Sequence, residues 1–155
     1  MDPVLERNLE SFHGALEDRF GEALVTLAAF GSRVQDRERP ESDLDLLIVI
    51  RGLPRGRLDR HRLVSPLAHA VSDAFAETIS PILLTPEEAD TVKPFYLGLL
   101  DGHRLLVDRD GFLRRVLARL ERRLAELGAR RLWDERGNPY WDLKPDYVLG
   151  EDVVL

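Results

Sequence analysis

Two aspartates, Asp43 and Asp45, open the apolar run DLDLLIVI (43–50), and a Gly31-Ser32 pair closes the apolar run before it, ALVTLAAF (23–30). Carboxylates are normally kept out of a strand this hydrophobic, because burying charge is costly unless it is paired or bound to a cation. On a strand, side chains alternate faces, so the two aspartates point the same way, with Cα atoms about 6.6 Å apart at a rise of about 3.3 Å per residue. Carboxylates at that separation can converge on one divalent ion or bridge a pair. Mg²⁺ suits such a donor set, being held by a few carboxylates and by substrate phosphate oxygens. Without a cation the two charges would repel, and one would tend to keep its proton. A glycine directly after a strand lets the backbone turn sharply, and a serine hydroxyl with neighbouring N–H groups can cradle phosphate oxygens. The spacing would bring a phosphate cradle and a metal pair together.

The flanking segments supply a frame. Residues 3–20 carry Val4, Leu5, Leu9, Phe12, Leu16 and Phe20 at helical spacing, and Gly21 ends that helix. After RGLPRG a second helix spans 57–76, with Pro66 as the point where it kinks or splits. TISPILLT (78–85) is a third strand whose Pro81 marks an edge or an irregularity. Thr85 caps a short helix over 86–90, GHRLLVD (102–108) is a fourth strand, and a long helix follows over 112–127. Asp101 and Asp108, flanking the fourth strand, read as turn residues. This order predicts an α/β (α+β) fold, a small mixed sheet flanked by helices, over 1–128. Residues 129–155 form an aromatic, proline-containing tail that docks on the domain or on a partner.

Composition removes other chemistries. The 155-residue chain is 44% hydrophobic and 32% charged, so it can fold around a core of its own. It has no cysteine, hence no thiolate nucleophile and no Cys-ligated zinc. The four histidines, His13, His61, His69 and His103, form no metal-spaced pair. The acidic, amphipathic start is unlike a signal peptide, and no apolar run is long enough to cross a bilayer, which predicts a cytoplasmic protein. A net charge of −6 disfavours general binding to duplex DNA. Between Arg109 and Arg131, however, eight arginines face three acids, either a solvated helix face or a contact for an acidic partner or RNA.

The stretch GSRVQDRERPESDLDLLIVI resembles the signature of the minimal nucleotidyltransferases, small members of the DNA polymerase β-like superfamily: Gly-Ser, a short loop, then Ser-Asp-x-Asp-Leu on the next strand. The resemblance extends over roughly residues 20–110. It implies transfer of a nucleoside monophosphate, in the first instance AMP from ATP or another NTP, with two Mg²⁺ ions and release of pyrophosphate. Gly31, Ser32, Arg33 and Ser42 would bind the nucleotide, and Asp43 and Asp45 would ligate the metals. Proteins similar to this family are often paired with a helical HEPN-type partner that receives the AMP in toxin–antitoxin-like modules, and a homo-oligomer is a further expectation. Two departures stand out. The loop carries Asp36, whose charge would need Arg33, Arg37 or Arg39 to offset it. The position aligned with the family's third carboxylate is Ser80, a poor metal ligand and no general base. Glu77 is the candidate substitute, although strand alternation would turn it to the other face unless Pro81 introduces an irregularity. If no carboxylate substitutes, the alternative is a nucleotide-binding or antitoxin-like interaction protein without catalysis. A transferase for small molecules fits less well, as no large second domain is evident to shape an acceptor pocket.

Overall fold

The computed structural model describes residues 1–35 and 42–155, so Asp36, Arg37 and Arg39 of the loop lie outside the described residues. The first helix, α1 (Pro3–Phe20), begins where the Asp2 carboxylate accepts the Val4 N–H and Pro3 occupies the first turn. Its buried residues, Leu5, Leu9, Phe12 and Leu16, recur every three or four positions and form one stripe. Strands β1 (Leu24–Phe30) and β2 (Leu44–Ile50) follow and pair antiparallel. Helix α2 (Arg57–Val71) retains Pro66 in its interior, and the helical span ends instead at Ser72. There the backbone is extended, and the Ser72 hydroxyl accepts the Phe75 N–H to start α3 (Asp73–Thr78). A side-chain cap at Ser72, rather than the proline, therefore divides the predicted 57–76 helix.

Strand β3 (Ile79–Leu84) runs parallel to β2, and β4 (His103–Asp108) antiparallel to β1, giving a mixed sheet of order β3-β2-β1-β4. Pro81 sits on β3, an edge strand, where its missing N–H costs no ladder bond. Two short helices join β3 to β4: α4 (Pro86–Ala89), closed by a Thr85/Glu88 capping box, and α5 (Tyr96–Asp101), which the sequence reading did not include. The last helix, α6 (Phe112–Leu127), stops at Gly128 in the left-handed conformation. A separate two-stranded sheet, β5 (Arg130–Trp133) and β6 (Pro139–Asp142), lies within the segment expected to be a tail.

The sheet has two buried faces. Leu27, Ala29, Leu44, Leu46 and Ile48 meet α1, α2 and α3 on one of them. Ala28, Phe30, Leu47 and Val49 meet Ala89, Tyr96, Leu99 and α6 on the other, where Trp141, Leu143 and Leu155 also pack. Asp108 is more than a turn residue. Its carboxylate accepts the Thr26 hydroxyl at 2.7 Å and the Leu113 and Arg114 N–H groups at 2.8 and 3.2 Å, tying β1 to the start of α6. Among the described residues no helix is long and apolar enough to cross a membrane.

Candidate active site

The ends of the strands bring the predicted chemistry together. Phe30, the last residue of β1, pairs with Asp45 on one side and His103 on the other, and Asp45 pairs in turn with Ser80. One row across the sheet therefore reads Ser80, Asp45, Phe30, His103. Directly paired residues share a face, so Asp45 and Ser80 project on the side of Leu47 and Val49. Asp43 lies just ahead of β2 and is exposed, whereas Asp45 is half-buried.

Gly31 turns the chain immediately beside this carboxylate. Its φ is +91°, and a Cβ there would sit 2.6 Å from Asp45 Oδ2. Only glycine permits both the conformation and the approach. The loop continues as a turn, with the Val34 N–H donating to the Gly31 carbonyl at 3.2 Å. Ser32 donates to the Ser42 hydroxyl at 3.1 Å, and Arg33 reaches the Ser42 carbonyl at 3.4 Å. These bonds pin the Gly-Ser loop to the residue that precedes Asp43, so all six residues from the motif converge. A Cβ added at Gly102 would come within van der Waals range of the Gln35 side chain, at 3.5 Å.

Burial, and then the nearby charge of Asp43, push the Asp45 carboxyl above the usual carboxylate range. Two like charges held together against desolvation form a site that a cation would relieve. Among the described residues no group of three or more His, Asp or Glu converges as a closed metal cage would require. The donor set is instead two carboxylates beside the open Gly31-Ser32 turn. That fits Mg²⁺, which keeps much of its coordination for water and substrate oxygens.

Glu77 is elsewhere. It is exposed on the last turn of α3, and that helix packs Phe75 edge-on to Phe12, in the layer across the sheet from Asp45. The β2–β3 register runs unbroken from Leu44/Ile79 to Val49/Leu84, so Pro81 introduces no irregularity that would bring Glu77 round. The side chain facing Asp45 from β3 is Ser80.

Two features escaped sequence reasoning. His103 ends the row, and its Nδ1–H donates to the Leu99 carbonyl at 2.8 Å. Phe95 stacks on Phe30 with ring centres 6.0 Å apart and on Tyr96 at 4.7 Å, forming an aromatic wall beside the aspartates. A histidine opening a strand after glycine carries no local signature of such a position.

The chain is similar to several known proteins. The family model described as "Nucleotidyltransferase domain" matches residues 9–94. A Methanocaldococcus jannaschii protein named "Putative protein adenylyltransferase" is 30% identical over 122 residues, 77% of this chain and 83% of that protein. A solved toxin–antitoxin structure with AMP-PNP shares the fold at a TM-score of 0.50 and 17% identity, over 78% of this chain and 93% of its own. A second, of a tri-AMPylated Shewanella oneidensis HEPN toxin with its MNT antitoxin, gives 0.47 and 15%, over 80% and 92%.

Proposed function

The chain belongs to the nucleotidyltransferase domain family, and from that premise we propose that it transfers AMP from ATP to a hydroxyl on a partner protein, with Mg²⁺ for which Asp43 and Asp45 would be the ligands. The observation that supports the reading is the close approach of Gly31 to Asp45, which sets a glycine turn suited to phosphate beside a half-buried carboxylate. In this reading Ser32, Arg33 and the loop N–H groups hold the triphosphate, and Ser42 fixes the loop. Asp43 and Asp45 would hold the metal, which when bound would supply charge neutralisation on the phosphates. The acceptor oxygen bonds to the α-phosphorus, the α–β anhydride bond breaks, pyrophosphate leaves, and the acceptor proton passes to a base or to water. The protein acceptor is proposed from the name of the 30%-identical relative. A helical HEPN-type chain is the partner class that the sequence resemblance implies, and the toxin–antitoxin neighbour of like fold is consistent with it.

One observation favours a second reading, nucleotide binding with transfer reduced or lost. The residue opposite Asp45 is Ser80, and Glu77 is exposed on a helix. Calorimetric titration of ATP and Mg²⁺, followed by labelled-AMP transfer in lysate, separates the two. Transfer by the wild type that survives Glu77→Gln and rises in Ser80→Asp supports an enzyme limited by its missing carboxylate. Binding without transfer, restored by Ser80→Asp, supports the second reading. Absence of metal-dependent ATP binding would refute both.

A further inference from the structure

The outer edge of β3 is prepared for a ligand and closed to another strand. A groove of about 430 Å³ runs along residues 81–84 of that edge, between the start of α2 and α4, and Arg55, Arg57, Arg60 and His61 line it. A narrow slot of about 40 Å³, lined by Val64, Ala68, Ala76 and Ile79, adjoins it through the shared residues His61 and Pro81. Together they form a trench along β3 from Leu84 back to Ile79, whose slot end opens on the face covered by α2 and α3, across the sheet from Asp45. Five residues of strand separate its ends, about 16 Å.

The charge in the trench is unbalanced. Arg60 is occupied, bonding the Pro54 and Leu83 carbonyls and pairing with Glu88 at 2.9 Å. Arg55, Arg57 and His61 are exposed and have no hydrogen-bond or ion-pair partner among the described residues. In a chain of net charge −6, three exposed basic side chains around one apolar-floored groove are complementary to an acidic ligand.

The edge also limits what that ligand is. Pro81 offers no N–H, and the Leu83 carbonyl, which looks away from β2, is taken by Arg60. A docking segment therefore cannot add as a strand and must bind through its side chains, as a helix with a satisfied backbone does. The floor presents Ile82 and Leu84, and no Phe, Tyr or Trp lines the groove. We propose that this trench docks an acidic, apolar-faced helix of the acceptor protein, with a small apolar side chain in the slot. The inference rests on the nucleotidyltransferase reading for its purpose, but not for its measurement.

Fluorescence anisotropy with a labelled amphipathic peptide carrying a Glu/Asp face and a Leu/Val face tests it. The comparison ligands are the same peptide with Gln for Glu and a single-stranded oligonucleotide of equal charge. Wild type should bind the acidic peptide, the Gln peptide at least tenfold more weakly, and rising salt should weaken the acidic complex. Arg55→Glu/Arg57→Glu, both at exposed positions, should weaken it at least tenfold while ATP–Mg²⁺ titration stays unchanged. No binding, binding indifferent to the double variant, or stronger binding of the oligonucleotide would overturn the proposal. Failure of ATP–Mg²⁺ binding with peptide binding intact would instead bring down the catalytic reading alone.

Discussion

The strand-end site and the C-terminal hairpin both withdraw charged side chains from water, and they settle the cost in opposite ways. In the hairpin, Arg131 pairs with Asp101 at 2.9 Å, and its guanidinium lies 5.8 and 5.7 Å from the rings of Trp133 and Trp141. Opposite charge and two π faces satisfy the cation internally, so nothing more is needed from outside. At the strand ends the neighbours have the same sign. Asp43 raises the cost of ionising Asp45, and Gly31 clears space beside that carboxylate without offering a counter-charge. Charge satisfied by its own chain marks a structural joint, and charge left in mutual conflict marks a place for a ligand.

That contrast is most directly broken at the aspartates. Asp43→Asn/Asp45→Asn should abolish AMP transfer, by a thousandfold or more, because both metal donors are weakened. The same change should raise the melting temperature in the absence of Mg²⁺, since a carboxylate that resists ionisation costs stability when charged. Radiolabel transfer and a thermal melt on the same samples check both signs. Gly31→Ala comes next. The added methyl collides with Asp45 and forces a positive φ, so transfer should fall about a hundredfold and stability by about 1–3 kcal/mol.

The hairpin should behave differently. Arg131→Ala leaves Asp101 unpaired in a largely buried position and should cost about 1–3 kcal/mol, a shift of some 2–10 °C in a chain of this size. Transfer should change less than threefold. If transfer in Arg131→Ala fell as far as in the aspartate variant, the hairpin would belong to the site and the distinction drawn above would fail.

The smallest effect concerns Tyr96, fully buried with its hydroxyl donating to the Ala89 carbonyl. Burial, followed by the charge of Asp90, raises its ionisation to about 12. An unfolded tyrosine ionises near 10, so this contribution is complete below about pH 10 and is lost as pH climbs toward 12. Tyr96→Phe should remove that alkaline slope in denaturant titrations, while costing about 1 kcal/mol at neutral pH for the lost hydrogen bond.

Gly31, Ser32, Ser42, Asp43 and Asp45 were legible in the sequence, because their chemistry is written in residue type and spacing along a short stretch. The stripe of α1 and the runs that became β1 and β2 were legible for a related reason: helical period and apolar content are local properties. Other outcomes had no local record. Ser80, 35 positions from Asp45, was reached only through the family resemblance, and the parallel register of β2 and β3 is what sets the two side by side. Pro66 was the conspicuous breaker, yet the helix divides at Ser72, where a hydroxyl finds the Phe75 N–H. Helix α5 contains Gly98 and is held by burial of Tyr96 and Leu99 rather than by propensity. The hairpin is a pair of four-residue strands whose anchor, Asp101, lies 30 residues before Arg131. Sequence determines the chemistry that neighbours in the chain can carry, because covalent spacing alone brings it together. Tertiary structure decides which distant side chain completes or neutralises that chemistry, because strand register and packing are global choices.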